Sequence, residues 1–441
     1  MSKKWFILFI AILSVFLLAG CKKQSPLTIW VGTESVEFYQ EKMVEYVALY
    51  KEKHGKDFPH EIAVKGVDTG TAAATFLEDT EAGADIFTVA HDNLGRLTRG
   101  SSAIAPVTDP ALLAQIQRDN PQTFLDVIDA TVGGTKYTFG IPYVAQSLVL
   151  YYNKKFLNEN DVKTWEGILA VAQANNKQAV SLAGTDGFNN SFILLAKNAQ
   201  TGATSLRLYE DGDINANYAL GDDTIAKMKW GQWFFTHPNG AKRPTESGWT
   251  VELTNETSLS FISGAWHFNG ARSALGSNLG IAILPTFTIQ ASQAYGSVPA
   301  GTVFQSGTFA DAKIFVMKKN SDKADYLQEI LMFLTSKEVQ EQSFVAAQNL
   351  PAYKNAATEF TSMSGDSLEN QLARAQIQMF EHGIPQPFGF DNRYNFYYYS
   401  KGGPDLILEI LENANNSFST FQQIKDQLTI VQNIWITGNR D

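Results

Sequence analysis

The sequence predicts an α/β protein made of two doubly wound lobes joined by a multi-strand hinge. Three observations carry that expectation. At 441 residues the chain exceeds what one core ordinarily holds, so two domains are expected. Short apolar runs alternate with segments of helical spacing, as in parallel sheets flanked by helices. Breaks near residues 145, 285 and 350 interrupt that alternation and imply three passages of chain between two lobes. The first break organises the rest. In Ile141-Pro-Tyr-Val-Ala-Gln-Ser-Leu-Val-Leu-Tyr-Tyr-Asn-Lys-Lys155, sheet-forming sequence lies on both sides of a crossover. A cleft is expected at such a crossing, with Gln146 at its base, because two-lobed α/β proteins bind ligands there.

The composition is globular, with 44% hydrophobic and 18% charged residues. The balance is acidic, 35 Lys+Arg against 45 Asp+Glu, which argues against nucleic acid as a partner. Aromatic residues are plentiful (29 Phe, 16 Tyr and 8 Trp), and sugar rings are one class of ligand that uses such flat apolar faces.

The elements follow in order. Lys3 and Lys4 precede an apolar run from Trp5 to Leu13, then Ser14, then Val15 to Leu18. A charged start, a short apolar core and small residues before the break describe an export signal. A membrane-spanning helix would want about 20 apolar residues, and this run stops at Ala19 with Lys22-Lys23 close behind. Leu18-Ala-Gly-Cys21 resembles the lipobox of bacterial lipoproteins. That resemblance implies cleavage after residue 20 and lipidation of Cys21, with at least two acyl chains as stable anchoring requires. Cys21 is the only cysteine, so an intrachain disulfide and a multi-cysteine metal site are both excluded.

Residues 21–26 read as a tether. Leu27-Thr-Ile-Trp-Val31 reads as a strand buried on both faces, followed by the loop Gly32-Thr-Glu-Ser35. Val36, Tyr39, Met43, Val47 and Tyr50 mark a helix that Gly55 stops. Ile62–Val64 is a second strand, residues 72–82 a helix and Ala84–Ala90 a third strand. Strand ends at one sheet edge are where ligands sit, so Glu34-Ser35 and Asp92-Asn93 are expected to converge. The alternative for Asp92 is a cap on the next helix.

Past the crossover, Thr164 is a candidate N-cap, with Trp165 as core. Ala179–Leu182 reads as a strand, Asn189–Ala199 and Thr224–Phe235 as helices, and Ser258–Ile262 as a strand leading to Ser263-Gly-Ala-Trp266. Trp230 and Trp233 are expected to pack. Gly280–Pro285 reads as a second crossover, Ala312–Met317 as a strand, Ser321–Leu334 as a helix and Leu350-Pro351 as a third break. The rest reads as mostly helical, with pieces at Glu369–Glu381 and from Pro404, and a last face of Phe418, Phe421, Ile424, Leu428 and Val431. One lobe is thus expected from residues 27–145 with 286–350, and the other from 146–285 with 351–441.

These pieces, in this order, resemble the maltose- and maltodextrin-binding branch of the extracellular solute-binding proteins that serve ABC transporters. The match rests on Leu27–Val31 with a following acid, Gly83-Ala-Asp-Ile86 leading to Ala90-His-Asp92, Ile141-Pro142 with Leu148 and Tyr152-Asn-Lys154, and Lys163-Thr-Trp-Glu166. It continues through Gly264-Ala-Trp266, Ile283-Leu-Pro-Thr286 and Ile384-Pro-Gln386. The resemblance implies a periplasmic-binding-protein-like fold, and Glu34 and Asp92 as acids that bind sugar hydroxyls. It further implies Trp266 as a stacking platform, and Gln146 where a glutamate is usual. Carboxylates accept from hydroxyl pairs, amides give and accept, and an aromatic face covers the C–H side of a pyranose.

There are departures. Ser35 stands where a lysine is usual, Val89 where a tryptophan is common and Asn93 where an arginine is found. The late aromatic pair is replaced by Pro387–Tyr399, where Tyr394 and Tyr397 are the candidates. Phe192 is a further candidate from the second lobe.

Three rivals stand beside this reading, and the sequence separates the third from it least. None of the six histidines has metal-ligand spacing, and the sequence lacks a Gly-x-Ser-x-Gly elbow and a phosphate loop. A glycosidase needs only two facing carboxylates, so product formation from an α-glucan is the discriminating assay. A lipid-anchored adhesin would favour sandwiches or repeats, and no repeat is present. A receptor for another sugar, or for a solute that is not a sugar, stays within the same class. The reading is a non-catalytic, monomeric receptor without cofactor or metal, tethered to the outer face of the membrane. It captures an oligosaccharide and presents it to an ABC permease.

Overall fold

The computed structural model describes residues 25–125, 127–182, 191–206, 221–242, 248–356, 359, 365–385 and 403–437. Cys21, Tyr394 and Tyr397 lie outside them.

The first sheet is built on three parallel strands: β1 (Leu27–Val31), β2 (Ile62–Gly66) and β3 (Ile86–Ala90), with β1 between the other two. The helix Val36–His54 returns the chain from β1 to β2 and ends at Gly55, whose φ of 68° provides the left-handed cap. Its buried face uses Phe38, Tyr39, Met43, Tyr46 and Tyr50, whereas Val47 is exposed. Next come β4 (Ile141–Gln146) and β5 (Val149–Asn153), on either side of Ser147-Leu148.

The second sheet holds β5 between β7 (Ser260–Ser263) and β8 (Leu279–Ala282), with β6 (Val180–Leu182) outside β7. Strand β5 is a continuous apolar run because both of its faces are covered. Leu150 and Tyr152 join one core, and Val149 and Tyr151 join another with Trp249 and Phe261. Thr164 caps the helix Trp165–Ala174 by accepting from the Gly167 amide at 3.0 Å. Trp165 and Trp230 are fully buried.

Strand β9 (Phe309–Lys318) carries the chain back to the first lobe. It pairs antiparallel with both β3 and β4. The return therefore falls near residue 308, not at 285. Thr286–Thr288 instead pairs with Val303–Gln305, and Phe287, Ile289 and Phe304 belong to the second lobe's core. Phe287 stacks on Trp230 at 4.2 Å. Pro285 follows β8 without changing lobe, which corrects the expected boundary of the first lobe.

The helix expected over Asn189–Ala199 is also corrected. Within its described part, residues 191–195 form turns and Lys197–Asn198 is a strand on Val303–Gln305. Residues 192–196 are all buried, so the apparent helical spacing came from a segment apolar on every side.

The third passage runs through Leu350-Pro351, where the Ala145 amide donates to the Leu350 carbonyl at 2.8 Å. The following helix, Leu368–Glu381, packs on both lobes: Ala373 and Ile377 on the first, Met379 on the second. Ser147 Oγ fastens the crossing to this helix by donating to the Gln376 carbonyl at 2.8 Å in a buried setting. Ser147→Ala is expected to cost about 1 kcal/mol of unfolding free energy, measured by urea denaturation.

Candidate functional site

In a parallel sheet the strands end along one edge, and loops there converge. Strand β1 ends in the 3-10 turn Thr33–Ser35, and β3 in the 3-10 turn His91–Asn93. Because β9 runs the opposite way, its first residues reach the same edge. Lys313 lies opposite Ala90, and Asp311 opposite Gln146 at the end of β4. Glu34, Ser35, Asp92, Asn93 and Gln146 are thus brought together by topology.

The polar floor of this edge is deep. Ser35, Asp92, Asn93 and Gln146 are each buried, while the Glu34 side chain keeps 29% exposure. Glu34 accepts from Lys313 Nζ at 3.1 Å. Burial alone would raise its pKa, but the Lys313 charge and a backbone hydrogen bond hold the carboxyl below its ordinary value. Ser35 Oγ accepts from Asn349 Nδ2 at 3.1 Å, which ties the third passage to this edge.

Asp92 does not cap the following helix with its side chain. It accepts from Asn93 Nδ2 at 2.9 Å. Burial, helped by the nearby charge of Asp311, pushes its pKa up to about 6, against the pull of His91 and Arg96. His91 Nδ1 stands 2.5 Å from Asp311 Oδ1, and both side chains are buried. His91 is structural here. It braces β9 against the loop that carries Asp92.

The second lobe contributes Trp266. Strand β7 ends at Ser263, opposite Val149 at the start of β5, three residues past Gln146. The 3-10 turn Ala265–His267 follows. Tyr151 Oη donates to the Gly264 carbonyl at 2.8 Å, and Ser263 Oγ lies 2.8 Å from His267 Nδ1, so the turn is held at the crossing. The indole is half-buried against the second lobe's core.

Both lobes seat a side chain on a glycine two residues earlier. A Cβ on Gly32 would lie 2.5 Å from Glu34 Oε1, and one on Gly264 would lie 2.0 Å from the Trp266 ring. Only glycine allows either approach.

Phe192 is not part of this arrangement. It is fully buried in the second lobe's core, 5.2 Å from Trp165 between ring centroids, which corrects its candidacy. Sequence reasoning missed Lys313 and Asp311. Their one signal was a pair of charged residues, Asp311 and Lys313, inside the apolar run Phe309–Met317.

Residues 45–368 match the family described as bacterial extracellular solute-binding protein. A maltooligosaccharide ABC transporter solute-binding lipoprotein from Streptococcus pneumoniae serotype 4 is 23% identical over 390 residues, covering 84% of this chain and 81% of that protein. The fold is similar to that of maltodextrin-binding protein MalE1 from L. casei BL23, with TM-score 0.71, 18% identity, and 94% and 99% of the two chains covered. It is also similar to MalX from Streptococcus pneumoniae in complex with maltopentaose, with TM-score 0.65, 18% identity, and 92% and 99% covered. The two-lobed fold and the match across most of the sequence together make this chain a member of the bacterial extracellular solute-binding proteins, which bind solutes and do not transform them.

Proposed function

We propose that this protein captures a maltooligosaccharide between its lobes and delivers it to an ABC permease. One observation carries the reading: Glu34 and Asp92 stand at strand ends on the edge that Gln146 shares, and the turn bearing Trp266 follows a strand paired with the residues just past Gln146. Carboxylates together with an aromatic ring suit a pyranose, which has hydroxyls around its rim and C–H groups on its faces. The names of similar proteins, a maltooligosaccharide lipoprotein among them, support the same ligand class.

Closure around the ligand would pivot on the three passages, and the permease would read the closed form. Cys21 carries the lipid that tethers the monomeric receptor to the outer face of the membrane, and Tyr394 and Tyr397 remain candidates for further sugar contacts. Thermal unfolding of residues 22–441 tests the reading against maltose, maltotriose, longer maltodextrins, cyclodextrins and β-linked controls. A ligand at about 100 times its dissociation constant adds about 2.7 kcal/mol. A rise with α-glucans alone is expected. A rise only with another solute would keep the receptor class and end the maltooligosaccharide assignment.

A further inference from the structure

Three lysines are buried to a similar degree, and they are not treated alike. Lys227 donates to the carbonyls of Leu194 and Ala196 at 3.1 and 2.8 Å and to Thr204 Oγ1 at 3.3 Å, with Asp223 at 3.5 Å. Lys323 reaches Ser25 Oγ at 3.1 Å, Asp322 Oδ1 at 2.5 Å and Asp85 Oδ2 at 3.7 Å. Lys313, whose side chain is 7% exposed, has a single hydrogen bond among the described residues, to Glu34. An ammonium has three donors, and leaving two unmet in a buried place is costly. Lys313 stands at the edge where Glu34, Asp92 and Gln146 converge.

We infer that Lys313 contacts the bound saccharide, its ammonium donating to hydroxyl oxygens while Glu34 accepts from a neighbouring hydroxyl. The chemistry is complementary. Carboxylates only accept, so a vicinal pair of hydroxyls beside Glu34 and Asp92 has its hydrogens taken but its lone pairs unused. A cationic donor completes the match with charge-assisted bonds. The resemblance to the maltodextrin branch leads one to expect a lysine at position 35, where Ser35 stands. Strand β9 returns a positive charge to that edge from far along the chain. The inference rests on the saccharide reading above.

The test is calorimetric titration of maltotetraose into wild type, Lys313→Met, Glu34→Gln and the double variant, with unliganded melts as a check on folding. Lys313→Met is expected to weaken binding about tenfold or more. That loss alone could arise from a stranded Glu34 carboxylate, so the double variant decides. If Lys313 contacts the sugar, the double variant binds several-fold more weakly than Glu34→Gln. Equal affinities in those two would overturn the inference and leave the saccharide reading intact. No binding by wild type would overturn the saccharide reading and the inference with it.

Discussion

Replacing Trp266 by alanine is expected to weaken maltooligosaccharide binding by about 2 kcal/mol, roughly thirtyfold, at a smaller cost to the unliganded fold. The asymmetry follows from position. The indole sits on a short turn beyond the end of β7 and is half-buried, unlike Trp165 and Trp230 in the core. Its truncation opens no sealed cavity, but it removes an aromatic face beside the crossing. Trp266→Phe should recover part of the loss, since a smaller ring still covers part of a sugar face. Titration calorimetry paired with unliganded melts checks both halves. Unchanged affinity would remove Trp266 from the site.

Asp92→Asn is expected to pull stability and affinity in opposite directions. The folded Asp92 holds its proton up to about pH 6, whereas the unfolded chain releases it near 3.8. Between those values the folded state binds more protons, so stability falls as pH rises through the window and the buried charge is carried above it. Two pKa units correspond to at most about 3 kcal/mol, part of which belongs to the neighbouring Asp311. Asparagine removes the charge. The variant should therefore melt higher than wild type at pH 7.5, and the gain should vanish near pH 4.

Affinity moves the other way. Only the ionised carboxylate accepts from two hydroxyls with full strength, so the variant should bind roughly thirtyfold more weakly at pH 7.5, about 2 kcal/mol. Wild-type affinity should decline as pH drops below 6, while that of Asp92→Asn should not. Melts and titrations at pH 4, 5, 6 and 7.5 suffice. A wild-type affinity flat from pH 7.5 to 5 would remove Asp92 from sugar recognition.

Much of this site was legible in the sequence because its residues follow strand ends. Glu34 and Asp92 stand just after short apolar runs, and Trp266 follows a strand and a glycine. A sheet edge gathers such residues whatever the loops do. Lys313 and Asp311 were not legible, because their relevance depends on which way β9 runs and on its register with β3 and β4. Those are long-range facts that no local pattern encodes. Phe192 was misplaced for a related reason: an aromatic in a polar-flanked segment looks the same whether it faces a cleft or Trp165. The second crossover was misread because Pro285 ends β8's run just as a lobe change would. The chain instead stays in the second lobe for another short sheet before returning.

Strand β9 has a consequence for synthesis and export. The first lobe begins at β1, yet β9 fills the middle of its sheet, pairing with β3 on one side and β4 on the other. Until residues 309–318 have left the ribosome, β3 and β4 have nothing between them and the lobe cannot close its core. The second lobe's strands, translated earlier, meet one another sooner. The second lobe's own core is not complete until residues up to Val431 arrive, so both lobes close late in translation. In an extracellular solute-binding protein, cores that close this late keep the chain threadable for longer.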